Sequence, residues 1–169
     1  MFLWKRFIKK LIAAKTVRRK IMERTTEIWT GLRSLLRLYD HMLKDVCKEH
    51  GLTLVEAEVV SFLRNNPKKD TAADIVELRM ISKGAVSKAV EELIRKSLLE
   101  RIPDTEDRRR IHLKLRPEAV PVTESIDRAG KEFRKYILEG FAEEELIMQD
   151  RLFQRLTGNA KAAMERMGS

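Results

Sequence analysis

The sequence holds little that would staple, stiffen or break it. Its 169 residues include one cysteine, four prolines and seven glycines, and only 6% are aromatic. A lone Cys47 excludes an internal disulfide framework and fits a reducing cytoplasm, so no export is implied. Scarce Pro and Gly, beside 43% hydrophobic and 36% charged residues, exclude a disordered or all-β chain and leave a helix-rich soluble one. Long apolar runs are missing too. In the opening MFLWKRFIKKLIAAK, charges at positions 5, 6, 9, 10 and 15 cut every run well short of the roughly 18 residues that span a bilayer. There is no Gly-rich phosphate loop and no nucleophile elbow, and none of the three histidines stands in a hydrolase context, so no enzyme, cofactor or metal centre is read.

Acidic residues are absent from positions 1–20, which carry eight Lys and Arg. That leaves 27 basic residues against 26 acids, a net of +1, in the rest of a chain whose total is +9. The high overall charge therefore describes the N-terminus, and nucleic-acid binding by the body has to be argued from local pattern. At this length one architecture is expected.

Apolar residues at three- and four-residue steps from Ile28 to Val46 predict a long helix over 26–50, stopped by Gly51. Thr53 with Glu56 forms a capping box for a second helix, which Asn65, Asn66 and Pro67 end. Asp70 or Thr71 opens a short third helix through Leu78, and after a turn at Arg79, Met80 and Ile81, Ser82 caps a fourth. In that helix Val86, Val90, Leu93 and Ile94 face a core, which leaves the small, polar and basic Lys83, Gly84, Ala85, Ser87 and Lys88 outward near its N-terminus. Residues 98–102 and 111–115 read as two strands joined by PDTEDRRR, with Ile111, Leu113 and Leu115 on one face and His112 and Lys114 on the other.

Taken alone, the lysines describe a solvated helix face and the hairpin an ordinary charged turn. A basic hairpin directly after a capped amphipathic helix is instead the one-dimensional pattern of a winged helix-turn-helix. The helix of such a unit enters the major groove, where small residues permit close approach and Ser or Lys meet base edges, and its hairpin reaches phosphates or the minor groove. Beyond Pro117, stripes at Val122, Ile126, Ala129, Phe133 and Ile137, and at Leu146, Phe153, Leu156, Ala160, Ala163 and Met167, offer more apolar surface than a winged domain needs. A helical dimerisation region built from both chain ends is therefore expected. The expected layout is a basic amphipathic extension at 1–25, a dimerisation helix at 26–50, a winged helix-turn-helix at 51–116 and dimerisation helices at 117–169.

The hairpin carries Asp, any residue, Arg, three residues, Leu as Asp107, Arg109 and Leu113, within Asp104-Thr105-Glu106-Asp107-Arg108-Arg109, and ISKGAVSKAVEELIRKSLLER precedes it. This arrangement resembles the multiple-antibiotic-resistance regulator (MarR) family of bacterial transcription factors, in element order from about Thr26 to Met167. Thr105 stands where the family often has Pro, and Ser97 replaces the usual Gly after the recognition helix, so Ser97 must tolerate a turn that Gly makes easy. The resemblance implies a mainly α cytoplasmic homodimer that binds a pseudo-palindromic duplex as a repressor, with half-sites about 10 base pairs apart or a multiple of that. It implies Ser82, Lys83, Ala85, Ser87 and Lys88 at the major groove. Arg109 is implied in the minor groove, with Asp107 pairing with it and fixing its direction, and Arg108 and Arg110 on phosphates. A small anionic or phenolic effector between the dimer helices and the winged domain is implied by the family alone. The competing reading is a winged-helix module for protein or membrane-surface contact that does not read DNA.

Three further features were weighed. Cys47 between Lys44 and Lys48 reads as a plain helix cysteine ahead of a peroxide sensor. His41, Cys47 and His50, with His112 or a carboxylate added, fall short of a convincing metal set. In the N-terminal segment Trp4, Phe7, Ile8, Leu11 and Ile12 oppose Lys5, Arg6, Lys9 and Lys10. That stripe suits a helix packed on the body, a basic arm on DNA, or attachment to an anionic membrane.

Overall fold

A computed structural model describes residues 24–107 and 109–168. The readings made for the N-terminal extension and for Arg108 thus lie outside the described residues. The element order is α1 (Thr25–His50), α2 (Leu54–Asn65), α3 (Ala72–Arg79), α4 (Lys83–Arg95), β1 (Leu99–Pro103), β2 (Ile111–Leu115), a 3-10 turn (Pro117–Ala119), α5 (Val120–Ile137) and α6 (Glu143–Met167). The mainly α winged helix-turn-helix expected from the sequence is what the chain forms. Among the described residues no helix is long and apolar enough to cross a membrane.

The chain divides into two compact units, Met1–Ala129 and Gly130–Ser169. In the first, α1 ends where Gly51 turns left-handed at φ 62° and caps Cys47 O. The capping box forms as read: Thr53 Oγ1 accepts the Glu56 N–H, and Glu56 Oε2 accepts the Thr53 N–H at 2.9 Å. The sequence left Asp70 and Thr71 open as the start of α3, and Thr71 takes the cap because Asp74, three residues on, completes a second box. Leu43, Val46, Phe62, Ile75, Val86, Leu93, Leu113 and Ile126 meet in one apolar core, drawn from the helices and from β2. Burial of this kind supplies most of the driving force for such a fold.

Four of the buried residues among those described are polar: Glu56, Ser61, Thr123 and Ser125. Glu56 is 3% exposed, and Lys96, at the end of α4, donates to its Oε2 at 2.7 Å and to Gly51 O at 2.8 Å. Ser61, fully enclosed, lies 3.4 Å from the Tyr39 hydroxyl.

The wing is a two-stranded antiparallel sheet in which Leu99 pairs with Leu115 and Pro103 with Ile111. Its first strand starts one residue later than the alternation suggests. Leu98 is taken by the end of α4, where its N–H reaches Leu93 O and the Ser97 N–H reaches Ile94 O, both at 2.9 Å. That pair of bonds is the Schellman closure, and it sets Ser97 left-handed at φ 59°. The substitution for glycine noted in the sequence therefore carries a backbone cost.

In the second unit the last turns of α5 lead through Gly140 (φ 81°) to α6, whose start is marked by Glu143, Glu144 and Glu145. Acidic residues in a first turn complement the positive end of the helix dipole. No residue of α6 is buried, and Ile147, Met148, Leu152, Phe153 and Leu156 lie half exposed or more.

Ser97→Gly should relieve the left-handed cost and raise the unfolding free energy by about 1 kcal/mol. The check is a urea denaturation midpoint, and an unchanged or lower midpoint would contradict the strain assigned to Ser97.

Candidate nucleic-acid interface

Helix α4 begins at Ser82, whose Oγ accepts the Ala85 N–H at 3.3 Å. Val86, Ala89, Val90 and Leu93 are buried, so the 3.6-residue period puts Gly84, Lys88, Glu91 and Arg95 on the line pointing directly away from the core. Glu91 is paired with Arg101 of β1, and Glu92 with Arg95. Lys83 and Lys88 form no ion pair among the described residues, so the first turns of α4 carry its free positive charge. That is the end of a recognition helix that faces base edges.

The predicted reading residues do not all share one face. Gly84 and Lys88 lie on the outward line, and nothing stands within 4 Å of where a Gly84 Cβ would be. Lys83 and Ser87 lie on a flank. With Ala72, Val76, Arg101 and Ile111 they border a cleft of about 560 Å³ between α3, α4 and the wing. Ala85 is half-buried on the opposite flank, beside a smaller hollow with Thr53, Val55 and Glu56. Ser82 contributes its side chain to the helix cap.

The wing turn is built around Asp104. Its Oδ1 accepts the N–H groups of Glu106 (2.7 Å) and Asp107 (2.8 Å), and its own N–H donates to Arg110 O at 3.1 Å. The N–H groups of Asp107 and Glu106, with the His112 ring, hold the Asp104 carboxyl well below the usual range, the Asp107 N–H contributing most. Asp107 Oδ1 then accepts the Arg109 N–H at 3.0 Å. The resemblance implied that Asp107 pairs with Arg109 and fixes its direction; the contact in the structure is to the Arg109 backbone N–H, with no ion pair to the Arg109 guanidinium among the described residues. Arg109 and Arg110 are both exposed.

The wing is also tied to the helices. The Leu113 N–H donates to Asp70 O at 2.7 Å, and Thr71 bridges His112 as a single extra rung beside the sheet. His112 places one ring nitrogen 2.7 Å from Asp70 Oδ1 and the other 2.9 Å from Asp104 Oδ2.

Residues 50–110, from the end of α1 to the wing turn, match the family model described as MarR family. Over that stretch the chain is similar to the MarR family. No curated protein matches it. Among solved structures it is similar to a MarR transcriptional regulator from Methanosarcina mazei Go1, at 16% identity and a TM-score of 0.66, covering 82% of this chain and 99% of that one. BpsR of Bordetella bronchiseptica, whose DNA binding is described as regulated by 6-hydroxynicotinic acid, is 19% identical with a TM-score of 0.60, over 78% and 98%. Wild-type apo MarR from E. coli is 16% identical with a TM-score of 0.58, over 75% and 93%. At these identities the structures share the fold. The Methanosarcina protein is described as a transcriptional regulator.

Other sequence candidates take different places in the fold. Cys47 is buried, and desolvation, followed by the nearby Glu56 charge, pushes its thiol pKa up, away from the thiolate that a peroxide sensor needs. The lysine expected to act on it was Lys44 or Lys48, but the one whose charge is felt is Lys96, and it is outweighed. Among the described residues no three of His, Cys, Asp and Glu group to hold a metal. His50 instead lies 2.9 Å from the buried Ser125 hydroxyl, to which Arg128 donates at 2.7 Å. Glu49 approaches the same imidazole nitrogen, at 3.6 Å, so it cannot orient the ring as the third member of a triad would. Sequence reading missed this cluster and the His112 bridge, since their partners are 75 and 42 residues apart.

Buried and held as the thiol, Cys47 should react with an aromatic disulfide reagent at least about a hundredfold more slowly in the native protein than in urea. Thiolate release followed by absorbance tests this, and equal rates would mean that Cys47 is accessible.

Proposed function

We propose that this chain is a dimeric, sequence-specific DNA-binding regulator of transcription, acting as a repressor by occupying a pseudo-palindromic site. The observation that carries the reading is the pairing, on one compact unit, of an α4 N-terminus whose lysines form no ion pair among the described residues and a wing whose turn displays Arg109 and Arg110. Lys88 and Gly84 approach the major groove most directly, Lys83 and Ser87 reach its edge from the flank, and Ser82 and Ala85 shape the close approach. Arg109 enters the minor groove, where A·T tracts concentrate negative potential, and Arg108 and Arg110 hold phosphates. Asp107 keeps the Arg109 backbone in place.

The apolar faces support assembly. On α1, Ile28, Trp29, Leu32, Leu35 and Leu36 are between 43% and 63% exposed. On α6, separately, Leu152, Phe153 and Leu156 are 50% to 67% exposed. A second copy of the chain is the partner that family resemblance supplies for such faces. The same resemblance, with the ligand control described for the Bordetella protein, supports a small anionic or phenolic effector. The cleft beside α4 is a described cavity where occupation would disturb Lys83 and Ser87 directly.

The deciding experiment is selection of bound duplexes from a random library at near-physiological salt. Enrichment of a two-fold symmetric site is expected, whereas retention without a consensus, or none, would favour a non-reading winged-helix module. On the selected site Arg109→Ala should cost about 1–3 kcal/mol, roughly ten- to a hundredfold in Kd, and Lys88→Ala should weaken binding as well. Sedimentation at micromolar concentration should show a dimer, and a stable monomer would overturn the assembly.

A further inference from the structure

We propose that His112 is a positioning residue for the wing: as an imidazolium bridging Asp70 and Asp104 it locks the arginine-bearing turn to the helix-turn-helix, and deprotonation releases that lock. The inference rests on the DNA-binding reading above and adds to it a residue and a condition.

The geometry forms a continuous path. One ring nitrogen of His112 meets Asp70 at 2.7 Å, and Asp70 immediately precedes the Thr71 cap of α3. The other meets Asp104 Oδ2 at 2.9 Å. Asp104 Oδ1 holds the Asp107 N–H, and Asp107 Oδ1 holds the Arg109 N–H. Four residues thus carry a positional constraint from the start of α3 to the backbone of Arg109.

Both ring nitrogens face carboxylates, and a carboxylate only accepts. An imidazolium satisfies both with two N–H donors, whereas a neutral imidazole has one N–H and turns a lone pair toward the other carboxylate. Loss of one proton therefore converts one of the two bridges from attraction to repulsion. The surroundings agree: hydrogen bonds that the ring donates to Asp104 and then to Asp70 raise the His112 pKa above its usual value.

The other charges near the ring are accounted for element by element. The wing turn adds Glu106 and Asp107, whose N–H groups are held by Asp104. At the start of α3, Asp74 is bound to Thr71, lies 3.9 Å from Lys69 and feels Arg110. On β1 the residue opposite His112 is the apolar Ile102, and the next charged pair, Glu100 with Lys114, is closed on itself at 3.7 Å. The sign follows from these directions. A raised histidine pKa means that the lock is complete below the ordinary histidine range, about 6.5, and is lost as pH climbs through the raised value. The Asp104 pKa is lowered, so its share persists down through the usual carboxylate range and fails only in stronger acid. Near neutrality the alkaline side is the sensitive one.

The test uses the full chain in two arms. In the first, NMR titration from about pH 6 to about pH 9 follows the His112 ring, identified by its loss in His112→Gln, and the Asp107 and Arg109 amides. In the second, fluorescence anisotropy measures binding of an A·T-rich duplex of about 30 base pairs across the same range. The amides should shift with the His112 midpoint, and wild-type affinity should fall about tenfold more across that midpoint than that of His112→Gln. Asp104→Asn keeps an oxygen for the turn amides but removes the charge, so it should move both midpoints to lower pH. Amides indifferent to His112, or parallel pH profiles for wild type and His112→Gln, would overturn the inference. If no duplex binds at any pH, the DNA reading fails, and the NMR arm alone decides whether His112 positions the wing.

Discussion

The ion pair between Glu56 and Lys96 is the contact on which the winged helix-turn-helix hangs. One buried carboxylate accepts from the Thr53 backbone and from Lys96, and the same ammonium caps Gly51 O. The end of α1, the start of α2 and the end of α4 are thereby fixed at one point, 40 residues apart along the chain. Removing either partner would leave the other poorly solvated, which is far costlier than loss of a surface pair. The pair also fixes direction: the apolar core is satisfied by many small rotations of α4, but Lys96 reaches both acceptors in few of them. Its worth is therefore in the angle of α4 as much as in stability.

Much of this was legible in the residues. The stripes of α1, α2 and α4 follow helical spacing, and the box at Thr53 and Glu56 was readable because its two halves are three residues apart. Position 97 was readable because a Schellman turn calls for a left-handed residue at a fixed offset from the last helical turn. What escaped notice was pairwise and distant. Glu56 was assigned a local job and turned out to hold a second, distant one. His112 fell on the polar side of an alternating strand and looked like surface, because neither Asp70 nor Asp104 announces a shared partner. The helical wheel of α4 was also read too coarsely: with Val86 and Val90 inward, Lys83 and Ser87 can only be flanking, and the outward line continues to Glu91 and Arg95.

Charge is partitioned with some economy along α4 and the wing. Acids in the second half of α4 are neutralised by Arg95 and Arg101, so the helix presents unopposed cations only near its N-terminus. In the wing turn the acids are used differently. Asp104 and Asp107 accept backbone N–H groups, which shapes the turn without tying up the Arg109 guanidinium among the described residues. Positive charge displayed in this way is available to a polyanion and cheap to desolvate, since no internal partner has to be released first.

Only Lys96, Ser97 and Leu98 separate α4 from the wing strand, and all three are committed: one to Glu56, one to a left-handed turn, one to the closure at Leu93. Helix and wing are consequently the two jaws of a caliper with a soldered joint. While the His112 bridge also holds the wing turn, a tool of that kind cannot widen its grip to suit what it measures. A duplex bound as proposed would have to supply the right groove spacing itself or be bent and twisted until it does, so selectivity would extend to the stiffness of base steps that no side chain touches.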